Sequence, residues 1–264
     1  MGRDWDIKNH WGKAAQEGAA YAPEIFPLKY CGTFKDYNIQ HLEMKTLSNY
    51  IENGDTVVEI GCGKGYTGLY MAWAKKISIL GIDYSEEMIS EAEKNKMQIE
   101  NTLQGDITFS LGNVVDLELN RTFDIAYTER CLINIPTWEE QKAAIRRIGR
   151  IIKHGGLFLM LEGSRQGLIR LNELRTKNGL SEIEVVWHNL FFDDQDLINF
   201  AADFFELIEI NNFCSTYMLI SRVLYPALIF PEQPKYEARI NELAAEMPNF
   251  GDFGYEKLFV FKRK

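Results

Sequence analysis

The feature that most constrains the fold of this chain is a run of alternating glycines directly after a short apolar segment. Residues 56–60 (Thr-Val-Val-Glu-Ile) predict a buried strand, and Gly61, Gly63 and Gly65 follow it at once. Glycine allows a sharp turn and lets a ligand approach the backbone closely. The free N–H groups at the start of the next helix can then bind an anion. The segment therefore predicts a strand, a ligand-binding loop and a helix in succession.

The alternation of strand and helix continues along the chain. From Asp55 onward, short apolar segments alternate with helical periodicity, which is typical of a parallel sheet covered by helices. Ser85 is predicted to cap one of these helices, whose buried face includes Met88. Further strands are predicted at residues 77–82, 107–112, 123–128, 157–162, 205–210 and 256–264. We therefore predict an α/β fold.

The chain is predicted to form a single domain, 1–264, with additions to a central core. Residues 1–54 precede the first strand as an N-terminal cap, and residues 55–162 form the core that binds the cofactor. Residues 163–192 and 213–253 are longer than the usual connections between such elements. They are interpreted either as insertions that cap the substrate or as decorations that only pack against the core.

The composition argues against several classes of protein. Hydrophobic residues make up 46% and charged residues 25% of the chain, as in a globular domain. The 38 acidic and 29 basic residues give a net charge of −9, which makes a nucleic-acid partner unfavourable. The N-terminus lacks the apolar run that follows the charges of a secretory signal. No segment reaches the roughly 18 apolar residues of a membrane span. We therefore expect a cytoplasmic protein without a membrane span, and the oligomeric state stays open.

Neither a metal site nor a disulfide framework is predicted. The four cysteines are scattered and form no Cys-x-x-Cys pair. Asp193, Asp194 and Asp196 lie together, but acidic residues of this spacing are typical of the first turn of a helix.

The glycine segment allows two interpretations of the cofactor. Gly63, Gly65 and Gly68 have the spacing of a dinucleotide-binding loop, and Asp83 lies 20 residues after Gly63, where an acid that binds ribose is expected. In the other frame, Glu59 precedes the three alternating glycines 61, 63 and 65. That frame resembles the first motif of the class I, Rossmann-like S-adenosylmethionine-dependent methyltransferases.

The resemblance to this family extends over about residues 55–163. Asp83-Tyr84-Ser85 with Met88 is similar to the second motif, and Gly112-Asn113-Val114 stands where the family often has Gly-Asp-Ala. Residues 123–135 and 151–162 resemble the segments of the fourth and fifth strands. The resemblance implies a doubly wound, mostly parallel, seven-stranded sheet whose last strand is antiparallel. It also implies that the cofactor is S-adenosylmethionine and the product S-adenosylhomocysteine.

The resemblance further implies which residues bind the cofactor. Asp83 would accept hydrogen bonds from the ribose hydroxyls, while Asn113 and Val114 would contact the adenine. Glu59 would orient the glycine loop or the amino-acid end of the cofactor, and the backbone of Gly61 and of residues 128–130 would bind that end. The full predicted set is Trp11, Tyr37, Glu59, Gly61, Cys62, Gly63, Gly65, Asp83, Tyr84, Met88, Asn113, Val114, Thr128, Glu129 and Arg130. Trp11 and Tyr37 are included because aromatic residues before the first motif often close over the cofactor, and simple packing is the alternative.

Three residues of the first insertion are candidates for the acceptor site. His188 is the candidate general base, needed only if the acceptor loses a proton, and a structural histidine is the alternative. Arg165 and Arg175 share one face of a predicted helix and suit an acceptor that carries phosphate or carboxylate. A solvated face with ordinary ion pairs is the alternative for these arginines.

We therefore predict methyl transfer, to the oxygen of a small metabolite or a saccharide-like acceptor. An NAD(P)-dependent oxidoreductase of the Rossmann type and a non-catalytic cofactor-binding protein are the alternatives. The oxidoreductase is less favoured because the chain lacks a convincing Tyr-x-x-x-Lys pair.

Overall fold

A computed structural model describes residues 3–15 and 25–264 of the chain. Its central element, within these ranges, is a seven-stranded sheet. The strands are β1 (Thr56–Ile60), β2 (Ser78–Asp83), β3 (Asp106–Leu111), β4 (Phe123–Glu129), β5 (Ile152–Gly163), β6 (Phe205–Asn211) and β7 (Glu256–Arg263). Their order in the sheet is β3-β2-β1-β4-β5-β7-β6. Strands β1 to β5 run parallel, and β7 is antiparallel to both of its neighbours. The predicted sheet with an antiparallel last strand is confirmed.

Helices flank both faces of this sheet. They are α1 (Arg3–Ala14), α2 (Tyr37–Ser48), α3 (Tyr66–Ala74), α4 (Glu86–Ile99), α5 (Trp138–Ile151), α6 (Arg165–Lys177), α7 (Asp194–Ala201), α8 (Ser215–Leu219), α9 (Tyr225–Ile229) and α10 (Arg239–Glu246). A π-helical turn, Ile220–Leu224, joins α8 to α9, and a 3₁₀ turn, Leu132–Asn134, follows β4. Among the described residues, no helix is long and apolar enough to cross a membrane.

Two hydrophobic clusters lie on opposite faces of the sheet. Successive side chains of a strand point to opposite faces, so Val57 belongs to one cluster and Val58 to the other. The first cluster includes apolar residues of α2 and α3, and the second includes those of α5 and α7. Because both faces are covered, β1 is almost continuously apolar, as expected for a central parallel strand.

Local sequence signals explain where two helices begin. The Ser85 hydroxyl accepts a hydrogen bond from the Met88 N–H at 3.3 Å and caps α4, as predicted. The Thr137 hydroxyl caps α5 in the same way, by accepting from the Glu140 N–H at 3.3 Å. These caps satisfy N–H groups that have no partner inside the helix.

Strand β5 begins earlier than the sequence pattern predicts. The periodicity of residues 138–154 predicts a helix that ends only before Gly155, but α5 ends at Ile151 and the strand begins at Ile152. Ile152 is buried and pairs with Phe123, and the register between β4 and β5 then shifts before Leu157. Gly155, with φ 77°, adopts the left-handed conformation in this irregular part of the strand. Ile152 therefore belongs to the strand, although it also fits the helical pattern.

Both insertions leave the sheet at the edge where the parallel strands end. The first contains α6 and an extended segment whose Leu190 N–H donates to the Ile133 carbonyl at 2.6 Å. The second contains α8 to α10, and its Arg222 forms a buried ion pair with Asp36, the residue that caps α2. The division into cap, core and insertions stays a prediction.

Candidate active site

A cleft opens at the carboxyl ends of β1, β2 and β3 and beside the turn after β4. Its volume is about 670 Å³, including the part open to solvent. Clefts of this size bind small ligands and cofactors. It is lined by Ile7, Ile60, Gly61, Ile82, Asp83, Tyr84, Gly112, Asn113, Val114, Val115, Cys131, Asn134, Ile135, Pro136 and Glu140. Open α/β sheets bind ligands at this edge.

The glycine loop forms the floor of the cleft at the end of β1. Gly61, Gly63 and Gly65 all have φ between 51° and 76°, a region that residues with a side chain rarely adopt. A Cβ on Gly61 would lie 2.3 Å from the Cys131 Sγ, so this position requires glycine for packing as well. No atom among the described residues lies within 4 Å of a Cβ built on Gly63. The backbone at Gly63 is therefore open to a ligand.

Glu59 lies beneath this loop at the end of β1. Its side chain is buried, and its carboxyl contacts the Tyr127 hydroxyl and the Gly68 N–H of α3. Burial raises the pKa of Glu59 well above its usual value, and the nearby Glu129 carboxylate raises it further. Glu59 thus connects β1 with β4 and with the first turn of α3, and its role in orienting the glycine loop or the cofactor stays a prediction.

Asp83 stands at the end of β2 and faces the cleft. Its Oδ2 accepts a hydrogen bond from the Gly63 N–H at 2.9 Å, and its Oδ1 accepts one from the Ser85 N–H at 2.9 Å. A carboxylate has about four acceptor positions, so about two remain for a ligand. Burial raises the pKa of Asp83, and the backbone N–H donors oppose this shift.

Asn113, Val114 and Tyr84 line the side of the cleft next to β3. The Asn113 Oδ1 accepts a hydrogen bond from the Val115 N–H at 3.1 Å, which fixes the amide in a local turn. Val114 is buried, whereas Asn113 is exposed. The predicted adenine-binding pair therefore combines an apolar wall with an accessible amide.

The turn after β4 forms the opposite side of the cleft and depends on Glu162, at the end of β5. Glu162 is fully buried; its Oε1 accepts from the N–H groups of Cys131 (3.1 Å) and Leu132 (2.8 Å), and its Oε2 from that of Ile133 (3.1 Å). Burial raises the pKa of Glu162 to about 7, against these donors. The preceding Arg130 has φ 51°, an unusual conformation for a residue with a side chain.

A buried charged cluster adjoins this turn at the end of β4. The Arg130 guanidinium forms ion pairs with Glu43 and Glu129 and lies 4.3 Å from the centre of the Phe34 ring. The Glu129 Oε2 accepts a hydrogen bond from the Thr67 hydroxyl at 2.8 Å. Burial raises the pKa of both Glu43 and Glu256, and Arg130 opposes the shift in each. Three carboxyl groups thus surround one guanidinium.

Helix α1 covers the cleft from the N-terminal side. Ile7 is 1% exposed and lines the cleft, and the Lys8 ammonium lies 6.0 Å from the centre of the Tyr84 ring. One turn further on, His10 stacks on His188 with ring centres 4.6 Å apart. Trp11 also contacts the His188 ring, edge to face at 5.5 Å. The N-terminal helix and the first insertion therefore meet over the edge of the sheet.

The structure does not bring all predicted site residues to the cleft. Five of the fifteen predicted cofactor residues line it: Gly61, Asp83, Tyr84, Asn113 and Val114. Five others lie buried in or beside the elements that form it: Glu59, Cys62, Gly65, Met88 and Thr128. Gly63 is open to it, Glu129 and Arg130 belong to the charged cluster, and Trp11 packs on His188. Tyr37 packs in the core against Tyr30 and His41, and its role at the cofactor stays a prediction.

The three acceptor-site candidates have contacts that favour structural roles. His188 is buried among aromatic rings, and burial together with the neighbouring His10 lowers its pKa to about 4. Arg165 is half exposed and lies 3.8 Å from Asp193 in a smaller cavity lined also by Trp138 and Phe191. Arg175 donates to the carbonyls of Ser181 and Arg222. Their functional roles stay predictions.

Other residues of the cleft were not predicted from the sequence. Cys131, Asn134 and Ile135 follow β4 directly, so their position after a predicted strand was a usable signal. Pro136 precedes α5 and Glu140 lies in its first turn, and neither carried a motif. Ile7 lies far from the core in sequence, and only the tertiary structure brings it to the cleft.

Comparison with known proteins points to one family. A family model described as a methyltransferase domain matches residues 57–156, which contain the glycine loop, Asp83 and Glu129. Magnesium protoporphyrin IX methyltransferase from Synechocystis PCC 6803, solved with bound SAH, has a TM-score of 0.59 and 16% identity. That match covers 99% of this chain and 98% of the other. Residues 57–156 thus match a methyltransferase domain, and the chain shares the fold of solved S-adenosylmethionine-dependent methyltransferases.

Curated proteins that match part of the chain in sequence are also named as methyltransferases. An O-methyltransferase of Pyrenophora dematioidea is 27% identical over 141 residues, which are 52% of this chain and 47% of that protein. The 27-O-demethylrifamycin SV methyltransferase of Amycolatopsis mediterranei is 26% identical over 104 residues, 39% of this chain and 36% of that protein. The chain spans less than half the length of these curated relatives.

The cleft fits the cofactor of these methyltransferases. S-Adenosylmethionine has an adenine, a ribose with two hydroxyls and an amino-acid end attached to a sulfonium. The free acceptor positions of Asp83 suit the hydroxyls, and the open backbone at Gly63 allows close approach. The apolar wall at Val114 suits a flat aromatic ring.

Proposed function

We propose that this methyltransferase transfers the methyl group of S-adenosylmethionine to an oxygen atom of a small-molecule acceptor. One observation carries the proposal. The glycine loop, the Asp83 carboxylate and the turn after β4 surround one cleft at the carboxyl edge of a methyltransferase-type sheet. When bound, S-adenosylmethionine supplies an electrophilic methyl group, so the protein has mainly to bind and orient.

In this proposal the adenosine half occupies the cleft lined by β2 and β3. Asp83 accepts hydrogen bonds from the ribose hydroxyls with the acceptor positions that Gly63 and Ser85 leave free. Asn113 and Val114 contact the adenine on one side, and Ile135 and Pro136 lie on the other. Ile7 of α1 excludes water from the same cleft.

The amino-acid end extends toward the end of β4 in this proposal. Glu129 and the backbone at Gly61 and Thr128 lie at that end of the site. The charged cluster holds three carboxyl groups and one guanidinium, so its net charge is not positive even when two of the carboxyls are protonated. A site of this charge favours a sulfonium cation over the pyrophosphate of a dinucleotide.

The small-molecule acceptor and the oxygen atom are supported by the relatives and by charge. Two of the relatives are named for O-methylation, one of them of a rifamycin. The net charge of −9 makes a polyanionic acceptor such as a nucleic acid unfavourable. A saccharide-like acceptor, a base role for His188 and anion binding by Arg165 or Arg175 are narrower versions of this proposal.

The topology argues against the oxidoreductase alternative. A typical dinucleotide-binding sheet has the order 3-2-1-4-5-6. Here the antiparallel β7 lies between β5 and β6. A non-catalytic cofactor-binding protein has the same fold, and only turnover distinguishes it from an enzyme.

Isothermal titration calorimetry, thermal denaturation and a turnover assay test the proposal. We expect S-adenosylmethionine and S-adenosylhomocysteine to bind and to raise the melting temperature, since a ligand bound to the native state stabilises it. NAD and NADP should do neither. Transfer of an isotopically labelled methyl group to a panel of hydroxylated small molecules then tests catalysis. Binding of NAD alone would contradict the family cofactor, and binding without any transfer would favour the non-catalytic alternative.

A further inference from the structure

The second insertion exposes its large apolar side chains and buries polar ones. Of the fourteen large hydrophobic residues that are exposed in the described part of the chain, seven lie within residues 224–250. We call them the outer face: Leu224, Leu228, Phe230, Tyr236, Leu243, Met247 and Phe250. In the same insertion Arg222 and Asn241 are buried. Clustered exposed apolar residues mark an interaction site more often than scattered ones.

Helix α10 shows most clearly that apolar side chains are exposed and polar ones buried. At 100° per residue, Arg239, Leu243 and Glu246 fall on one side of the helix, with Met247 next to them. The other side carries Asn241 and Ala244, which are 1% and 2% exposed, whereas Leu243 is 47% exposed. The helix therefore packs on the body through small and polar residues and presents its leucine to the outside.

We propose that the outer face is the interface of a symmetric dimer of this chain. Residues 224–250 contain four acidic and two basic residues, so the face lacks the excess of lysine and arginine that a membrane-surface helix uses. A second copy needs no such excess, because a two-fold axis brings one surface against itself.

The size of the outer face is adequate for such an interface. A full aromatic side chain offers ~200 Å² and an aliphatic one ~100 Å², so the seven residues expose on the order of 600 Å² per copy. A standard interface buries about 800 Å² per partner, with polar residues at its rim. The exposed charged residues around the outer face supply such a rim.

The charges on α10 suit antiparallel pairing with its own copy. The helix begins at Arg239 and ends at Glu246, and Leu243 lies next to its midpoint. A two-fold axis through the midpoint therefore sets Arg239 of each copy beside Glu246 of the other, with the two Leu243 side chains in contact between them. In the single chain Arg239 pairs with Glu242 at 2.5 Å on an exposed surface. Pairing with Glu246 of the second copy would replace this exposed pair.

Analytical ultracentrifugation of Leu243→Glu tests the apolar part of the proposal. We expect the full chain to sediment as a dimer, and the variant to dissociate at least about tenfold more readily, as for a central interface residue. Met97→Glu is the matched control, because Met97 is 72% exposed on α4, outside the outer face. Circular dichroism checks that both variants fold. A monomeric wild type, or a Leu243→Glu protein as dimeric as the wild type, overturns the proposal.

A charge exchange tests the antiparallel arrangement and separates it from the pair within one chain. Arg239→Glu and Glu246→Arg should each weaken the dimer, because each places like charges together across the axis. The double variant restores both pairs and should regain the dimer. A double variant no better than the single ones overturns the arrangement. Sedimentation of a monomeric wild type with neutral phosphatidylcholine vesicles would assign the outer face to a lipid surface instead.

Discussion

At the residue scale, Asp83 is at once a structural residue and a proposed ligand of the ribose. Each of its carboxylate oxygens accepts one backbone N–H, from Gly63 and from Ser85, so replacement by alanine would leave two buried donors without a partner. Asp83→Asn is the sharper change, because it keeps the shape, removes the charge and sets its NH2 against only one of the two donors. We expect its affinity for S-adenosylmethionine to fall at least about tenfold, or ~1.4 kcal/mol, by calorimetry.

The control for this prediction is Asp106→Asn. Asp106 is exposed and begins β3, at the opposite edge of the sheet, so it loses the same charge far from the cleft. Its affinity should equal that of the wild type. Unchanged affinity in Asp83→Asn would remove Asp83 from the cofactor site.

At the scale of elements, Glu162 joins the end of β5 to the turn that follows β4. Its three backbone donors fix the turn that carries Cys131, Asn134 and Ile135 into the cleft. In Glu162→Gln the amide NH2 would face at least one of these N–H donors. We expect about 1–3 kcal/mol lower stability in urea denaturation. Cofactor affinity should fall as well, because the turn would lose its position.

A variant with a similar loss of stability distinguishes a displaced turn from a general weakening of the fold. Ile148→Val shortens a fully buried side chain of α5 and costs about 1 kcal/mol. We expect this variant to bind S-adenosylmethionine like the wild type. If Glu162→Gln also binds normally, the turn does not depend on Glu162 for its function.

Sequence periodicity identified most elements but not all of their ends. Strand β1 and the cap of α4 were predictable because the signals are local: an apolar run before glycines, and a serine before the helix. The boundary between α5 and β5 was not, because Ile152 fits both the helical pattern and the strand. Helix α1 was also missed, since its apolar residues are few and it depends on contacts with the distant α4 and His188.

At the scale of the whole molecule, the site was predictable where the motif is contiguous and not where distant segments meet. Asp83 and Asn113 follow predicted strands, so their place at the edge of the sheet could be inferred. The contact of Arg130 with Glu43, and that of Ile7 with the cleft, join residues far apart in the chain. Nor does the sequence show that Arg175 bonds to two backbone carbonyls. Such pairs follow from packing, which a single sequence does not reveal.

The contact between α1 and the first insertion should make the stability of the molecule depend on pH. His188 is buried against His10, Trp11 and Trp187, and its pKa is lowered from the usual 6.5 to about 4. Since the unfolded chain binds this proton more readily than the folded one, the stabilisation is complete above pH ~6.5 and is lost as the pH falls toward 4. Between pH 7.5 and 5 we expect a loss of roughly 1 kcal/mol, allowing for solvent screening.

Urea denaturation of His188→Phe at both pH values measures this contribution. Phenylalanine keeps an aromatic ring against His10 but cannot take up a proton, so the variant should lose about 1 kcal/mol less than the wild type on acidification. His154→Phe, at an exposed position of β5, is the control and should follow the wild type. Because His10 and Ile7 lie one turn apart on α1, the same acidification should weaken binding of S-adenosylmethionine in the wild type more than in His188→Phe. Equal pH dependence of stability in the wild type and His188→Phe would show that protonation of His188 does not weaken the contact between α1 and the first insertion.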